Sequence, residues 1–243
     1  MMTQSEMKPR EVPWSSFQAV LFDLDGVITP TADLHRRAWG SLFAPYDFVD
    51  DDYLRSVDGK PRYEGVEAFL ASRGVELPYG SPEDSPDLET ICGLGNRKNA
   101  EFNAILERDG VAPYPGTIAL LDYLQELSVT TAVVSSSRNA NAVLLAAGLG
   151  DRFPLVVDGL LAEALGLPGK PEPDTFVHAA HELGATVERT AVIEDAQVGV
   201  AAAVTGGFGY VVGVDRGGNR KPLTDAGATI VVEDLANTLE GSR

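Results

Sequence analysis

The sequence predicts an α/β fold: a Rossmann-like parallel-sheet core with an all-helical cap inserted near its start. Three observations predict it. Short apolar runs at 19–22, 130–134, 190–193, 210–214 and 229–232 alternate with helix-patterned segments, the signature of a parallel sheet with helical crossovers. The block 31–109 holds no convincing strand, although both of its flanks do. Three strand candidates end abruptly on polar residues: Asp23-Leu24-Asp25-Gly26, Ser135-Ser136-Ser137 and Glu194-Asp195. The expected organisation is a tail at 1–16, a core from 17–30 and 110–243, and a cap from 31–109.

Each element has its own reason. Ala19, Val20, Leu21 and Phe22 form a continuous apolar run, as a strand buried on both faces does. Gly26 lets the chain turn, so Asp23 and Asp25 fall on the loop past the strand end. Residues 26–31 read as a turn-rich linker. From Ala32 a helix is expected, with Leu34, Ala38, Trp39, Leu42 and Phe43 on one side and His35 elsewhere. Residues 46–58 are acidic and irregular. A second helix spans 62–72 (Val66, Phe69, Leu70), with Gly74 as its stop. Residues 76–90, rich in Pro, Ser, Asp and Glu, read as loop. A third helix opens at Gly95, carries Phe102, Ile105 and Leu106, and ends at Asp109-Gly110.

The alternating pattern then resumes. Ile118, Leu121, Leu124 and Leu127 mark a helix over 117–127, and Thr130 to Val134 is a β-rich strand. Val143, Leu144 and Leu145 mark a helix that stops at Gly148, and 153–158 is a short strand. The prolines of Gly169-Lys-Pro-Glu-Pro173 exclude helix and central strand. Helices follow over 174–183 and through Val204, and strands over 190–193, 210–214 and 229–232.

Composition narrows the function. The net charge is −17, from 36 acidic and 19 basic residues, which argues against nucleic acid and anionic membranes as partners. No apolar run approaches the ~20 residues of a membrane helix. The polar first sixteen residues lack the apolar core of a signal peptide, and Cys92 is the sole cysteine. A cytoplasmic monomer is expected.

In a parallel sheet all strand C-termini share one edge, where such folds place their chemistry. That edge gathers Asp23, Asp25, Ser135, Ser136, Glu194 and Asp195, and the loop carrying Lys170 can reach it. Four converging carboxylates repel unless a cation joins them, and an all-oxygen ligand set suits Mg²⁺. A metal, a lysine and a serine hydroxyl together bind phosphate. One carboxylate is then free to attack phosphorus, and a second, two residues on, to protonate the leaving oxygen. Taken singly, each piece has a plainer reading: Ser137 as a helix N-cap, Lys170 as a solvated loop lysine, Glu194-Asp195 as a helix-start charge pair. Their joint occurrence at strand ends favours chemistry.

Phe22-Asp-Leu-Asp-Gly-Val27, Val134-Ser135, Gly169-Lys-Pro171 and Ile193-Glu-Asp195 resemble the four motifs of the haloacid dehalogenase superfamily. Within it the chain resembles the β-phosphoglucomutase family, through the stretch Asp23 to Trp39, Val57-Asp-Gly-Lys-Pro-Arg62, Cys92 to Asn99, Ser135-Ser-Ser-Arg-Asn139, Lys170-Pro-Glu-Pro-Asp174 and Glu194-Asp-Ala-Gln197. The resemblance implies an Mg²⁺-dependent mutase interconverting β-D-glucose 1-phosphate and D-glucose 6-phosphate through an aspartyl-phosphate and a 1,6-bisphosphate. A phosphatase on a small phosphorylated metabolite is the alternative. It implies Asp23 as nucleophile and metal ligand, and Asp25 as general acid/base and carbonyl ligand. Glu194 and Asp195 would complete the metal site. Ser135, Lys170 and the Ser136 amide would hold the transferring phosphoryl group. Arg62 and Lys98 would grip the second phosphate, with Gly26 and Asn139 also at the substrate. His35 would relay cap closure to Asp25, with Thr31 at the hinge. Better-known mutases of that family carry a lysine where this chain has Asp58; either Lys60, two residues on, substitutes for it, or cap closure is coupled to catalysis differently.

Overall fold

The computed structural model describes residues 12–58 and 60–239; the expected tail at 1–11 lies outside the described residues. Six parallel strands form one sheet in the order β3-β2-β1-β4-β5-β6. In chain order they are β1 (Ala19–Phe22), β2 (Thr130–Val134), β3 (Val156–Val157), β4 (Thr190–Glu194), β5 (Tyr210–Val214) and β6 (Ile230–Val232). Alternate residues of the central strands enter opposite cores. Val20, Phe22, Val133 and Ile193 join one apolar cluster, while Leu21, Val134 and Val192 join the other. The continuous apolar runs in the sequence are therefore two-sided burial, and residues 19–22 are all fully buried.

Between β1 and β2 the chain builds α1 (Thr31–Phe43), the single turn α2 (Asp50–Asp52), α3 (Arg62–Ser72), α4 (Ile91–Asp109) and α5 (Pro115–Glu126). No strand occurs in 31–109 among the described residues. A third apolar cluster, including Trp39, Phe43, Tyr53, Phe69 and Leu94, gives this helical cap its own core. The cap is tied to the sheet domain by its two ends. Leu34 and Ala38 of α1, and Phe102, Ile105 and Leu106 of α4, pack into the main core. After β2 come α6 (Ala140–Ala146), α7 (Gly159–Leu165), α8 (Asp174–Glu182), α9 (Gln197–Thr205) and α10 (Arg220–Asp225).

Several expectations are corrected. Residues 12–16 are not tail: Val12 and Trp14 are buried in the main core, and the Trp14 indole donates to the Thr238 carbonyl at 3.1 Å. The polarity of the surrounding residues masked two apolar anchors. Helix α4 opens at Ile91 rather than Gly95, because the Thr90 side chain accepts from the Gly93 amide at 2.9 Å and caps it there. Gly95 inside that helix lets α3 approach, since a Cβ would stand 2.7 Å from the Tyr63 ring. The supposedly irregular 46–58 contains α2 followed by a π-helical turn, Tyr53–Val57. Leu145, expected on an apolar face, is 74% exposed. Ser137 is not the N-cap of α6; Asn139 is, and the Ser137 hydroxyl accepts from the Asn139 amide at 3.2 Å. Helices α7 and α10 have too few residues to carry a readable period.

Candidate active site

The sheet register assembles the site. Phe22 pairs with Val133 on one side and Ile193 on the other, so Asp23, Ser135, Glu194 and Asp195 leave three neighbouring strands at one edge. Asp23 continues the ladder, its amide donating to the Ile193 carbonyl at 2.9 Å. Gly26 then turns the chain at φ +85°, and a Cβ there would collide with the Asp195 carboxylate. Glycine at this position therefore serves both a left-handed backbone and the contact of two acidic loops.

Lys170 reaches the same edge from the loop before α8, after which the Lys170–Pro171 bond is cis. Its buried ammonium donates to Asp23 at 2.5 Å, Glu194 at 2.7 Å and the Val134 carbonyl at 3.1 Å. Burial opposes its charge, but Asp23 and Glu194 prevail and hold the Lys170 pKa above the ordinary value. Glu194 also accepts from the Ala196 amide at 2.8 Å.

One ammonium cannot neutralise this edge. Burial, then the neighbouring carboxylates, push Asp23 well above the carboxylate range despite Lys170, and the same causes push up Asp195. Asp23, Glu194 and Asp195 each bring a carboxylate oxygen within 4.8 Å of the others. Such a set of hard oxygen donors, short of positive charge, fits a divalent cation. The Asp25 side chain stands outside this set. It accepts from the Thr31 hydroxyl at the start of α1, and His35 Nε2 lies 3.3 Å away without hydrogen-bond geometry. Burial raises the Asp25 pKa, but His35, Thr31 and Lys98 outweigh it and hold it low.

The cap supplies the opposite wall of the cavity. His35, Lys60, Arg62 and Lys98 line it, with Ser136 and Asn139 from the loop after β2. Lys98 is buried, lies 5.0 Å from the Trp39 ring centroid and contacts His35 Nδ1. Burial and then the Arg62 charge depress its pKa to about 7. His35 is likewise depressed, by burial and then by Lys98. Lys98 thus contacts His35 while lining the cavity with Arg62. Arg62 donates to Asn99 Oδ1 at 2.7 Å, and Asn139 donates to the same oxygen. Ser135 is buried, accepts from the Ser137 amide at 3.1 Å and lines an adjoining cleft with Ser136.

Several residues at the site were missed in the sequence. Arg138 lines the cavity beside Asn139, and the repulsion of its charge lowers the Arg62 pKa after burial does so. It directly follows the three serines, which was the available signal. Arg216 donates to the Gly26 carbonyl at 2.7 Å and stacks 3.6 Å from the Tyr114 ring centroid. Asn219 donates to the Asp195 carbonyl at 2.7 Å. Both belong to the loop after β5, so that loop holds both acidic loops in place. The pattern of a strand ending on a polar residue recurs there, at Val214-Asp215.

A parallel six-stranded sheet with an acidic C-terminal edge, a buried lysine and a helical cap defines a class, and comparison with known proteins agrees. The family model for haloacid dehalogenase-like hydrolases matches residues 17–207, and the chain belongs to that family. Within it, the chain is 44% identical over 241 residues to the β-phosphoglucomutase of Mycobacterium bovis, covering 91% of each protein. It is 34% identical to that of Bacillus subtilis, covering 92% of each. The crystal structure of β-phosphoglucomutase from Clostridium difficile superposes with a TM-score of 0.77 at 26% identity, covering 92% of this chain and 94% of that one. These similarities place the chain in the β-phosphoglucomutase-like branch of the family. No helix among the described residues is long and apolar enough to cross a membrane.

Proposed function

We propose that the protein is a phosphomutase interconverting β-D-glucose 1-phosphate and D-glucose 6-phosphate, with residues 31–109 acting as its cap. One observation carries this reading: cations of the cap and of the loop after β2 line the same cavity as Asp23, which is itself bonded to a buried lysine. Lys170 lies under Asp23, while Lys60, Arg62 and Arg138 line the wall from the cap and the loop after β2. A bisphosphate needs both grips at once.

In this reading the working enzyme carries a phosphoryl group on Asp23. The 6-hydroxyl of β-glucose 1-phosphate attacks that phosphorus, its proton passes to Asp25, and the bond to the Asp23 oxygen breaks. The resulting 1,6-bisphosphate then offers its other phosphate. An Asp23 oxygen attacks that phosphorus, the bond to the sugar O1 breaks, and Asp25 returns the proton to O1. Glucose 6-phosphate leaves, and the phospho-Asp23 enzyme is regenerated. Thr31 holds Asp25, and His35 of the cap lies beside it. Lys170, Ser135 and the Ser136 amide hold the phosphoryl oxygens. Mg²⁺, held by Asp23, Glu194, Asp195 and the Asp25 carbonyl, would neutralise charge on the transferring group.

One observation favours phosphatase activity on a small phosphorylated metabolite instead. Asp58 lines the cavity among the cap cations and Lys98 contacts His35, which weakens the cap's hold on a second anion. A coupled assay separates the two. Pure α- and β-glucose 1-phosphate are supplied separately with catalytic bisphosphate, and glucose 6-phosphate and free phosphate are followed together. The mutase reading expects glucose 6-phosphate from the β-anomer in large excess over phosphate. Phosphate alone would overturn it.

A further inference from the structure

Asp58 has no task in the phosphoryl transfer proposed above, yet it is built into the cavity wall. It follows the π-helical turn Tyr53–Val57, and its amide donates to the Tyr53 carbonyl at 2.9 Å. Such turns recur at functional sites because they re-aim the residues that follow. The buried Tyr53 lines the same cavity, and its hydroxyl partly offsets the rise in the Asp58 pKa.

The surroundings restrict what that carboxyl can bind. Burial first, then Glu194 and Asp25, push its pKa up to about 6. A phosphate docking there would add like charge. Arg36, the nearby cation, stacks over the Tyr53 ring at 5.0 Å and pairs with Asp33 at 2.8 Å. A carboxyl accepts hydrogen bonds whether or not it is protonated. O–H donors are what it can recognise, and a hexose carries a row of them between its two phosphorylated ends.

We infer that Asp58, set in the cavity wall by the turn Tyr53–Val57, is a specificity-determining residue that accepts hydrogen bonds from ring hydroxyls of the substrate. The inference rests on the sugar-phosphate reading of the site. It gives the acid in the cavity wall a positive role in reading the sugar.

The test compares wild type, Asp58→Ala and Asp58→Asn on three probes. These are β-glucose 1-phosphate, a set of its deoxy analogues each lacking one hydroxyl, and acetyl phosphate, which has none. Asp58→Ala should lower kcat/KM for the sugar phosphate by about ten- to a hundredfold, the scale of one hydrogen bond to a charged group. Acetyl phosphate hydrolysis should stay within about twofold, because Asp58 then lacks a donor to bind. For at least one deoxy analogue the Ala penalty should vanish, since the interacting hydroxyl is already gone. Asp58→Asn keeps an acceptor oxygen and should retain most of the activity. Equal loss on sugar phosphate and acetyl phosphate, no loss on either, or a penalty that persists with every analogue would each overturn the inference. So would weakened Mg²⁺ binding by Asp58→Ala in calorimetry, which would show it acting through the acidic edge. If the wild type hydrolyses acetyl phosphate but ignores glucose phosphates, the sugar-phosphate reading has failed and the inference falls with it. If the wild type is an active mutase and Asp58→Ala equals it, the inference alone falls.

Discussion

Replacing Lys170 by methionine tests how the acidic edge is held together. The ammonium is almost wholly buried and bridges two carboxylates, at 2.5 Å to Asp23 and 2.7 Å to Glu194. Methionine fills similar space but leaves both acids without their cation. Breaking a buried pair by removing one partner costs about 3–5 kcal/mol, because the survivor remains buried and uncompensated. For a chain of this size that corresponds to a Tm lowered by ~6–20 °C. The pH dependence follows from Asp23 and Asp195, whose folded pKa values lie above the unfolded one. A raised acid contributes stability that is fully present below its unfolded pKa, near 4, and is lost as pH rises through its folded pKa. Losing Lys170 removes a lowering influence on Asp23 and raises its pKa further. The penalty should therefore be large at pH 8 and shrink towards pH 4. Thermal unfolding of both proteins in chelator, across that range, gives the measurement. Adding Mg²⁺ should recover part of the loss at pH 8 through binding to the folded state. A variant Tm within about 2 °C of wild type at pH 8 in chelator would refute the reasoning, as would a penalty independent of pH.

Three further outcomes are expected. Asp23→Asn keeps the shape of the side chain but removes the attacking charge, so mutase turnover and phosphoester hydrolysis should both vanish; substantial turnover in a rapid-quench assay would exclude an aspartyl-phosphate. Chelator should abolish activity and Mg²⁺ restore it, since the carboxylates of the edge stay undercompensated without a cation; full activity in thoroughly demetallated protein would exclude that role. Arg62→Ala should lower mutase kcat/KM by roughly tenfold to more than a hundredfold, while hydrolysis of a small phosphoester lacking a second phosphate falls little; equal effects on both would move the distal grip elsewhere.

The sheet was legible in the sequence because its causes are local. A strand segment buried on both faces is apolar at successive positions, so 19–22, 132–134 and 191–193 announced themselves, and each ended where polar residues began. Because parallel strands place their C-terminal ends together, the meeting of Asp23, Ser135, Glu194 and Asp195 followed from the order of elements. The cap showed as an absence of strands. Helix starts were less readable: the Thr90 cap set the opening of α4 four residues before the expected Gly95, inside a stretch rich in glycine.

What the sequence alone determined, then, is which chemistry stands at the sheet edge. What the tertiary structure decided is which partner each side chain meets. Lys170 lies 147 residues from Asp23 in the chain, yet its ammonium serves Asp23 and Glu194 together. Lys98 meets His35, 63 residues away, and Arg62 donates to Asn99, 37 residues away. Trp14 closed against Thr238, at the far end of the described chain. No periodicity carries such information. A hydrophobic pattern specifies which face of an element is buried, whereas the choice among several nearby polar partners depends on packing between elements and on the local balance of burial against charge.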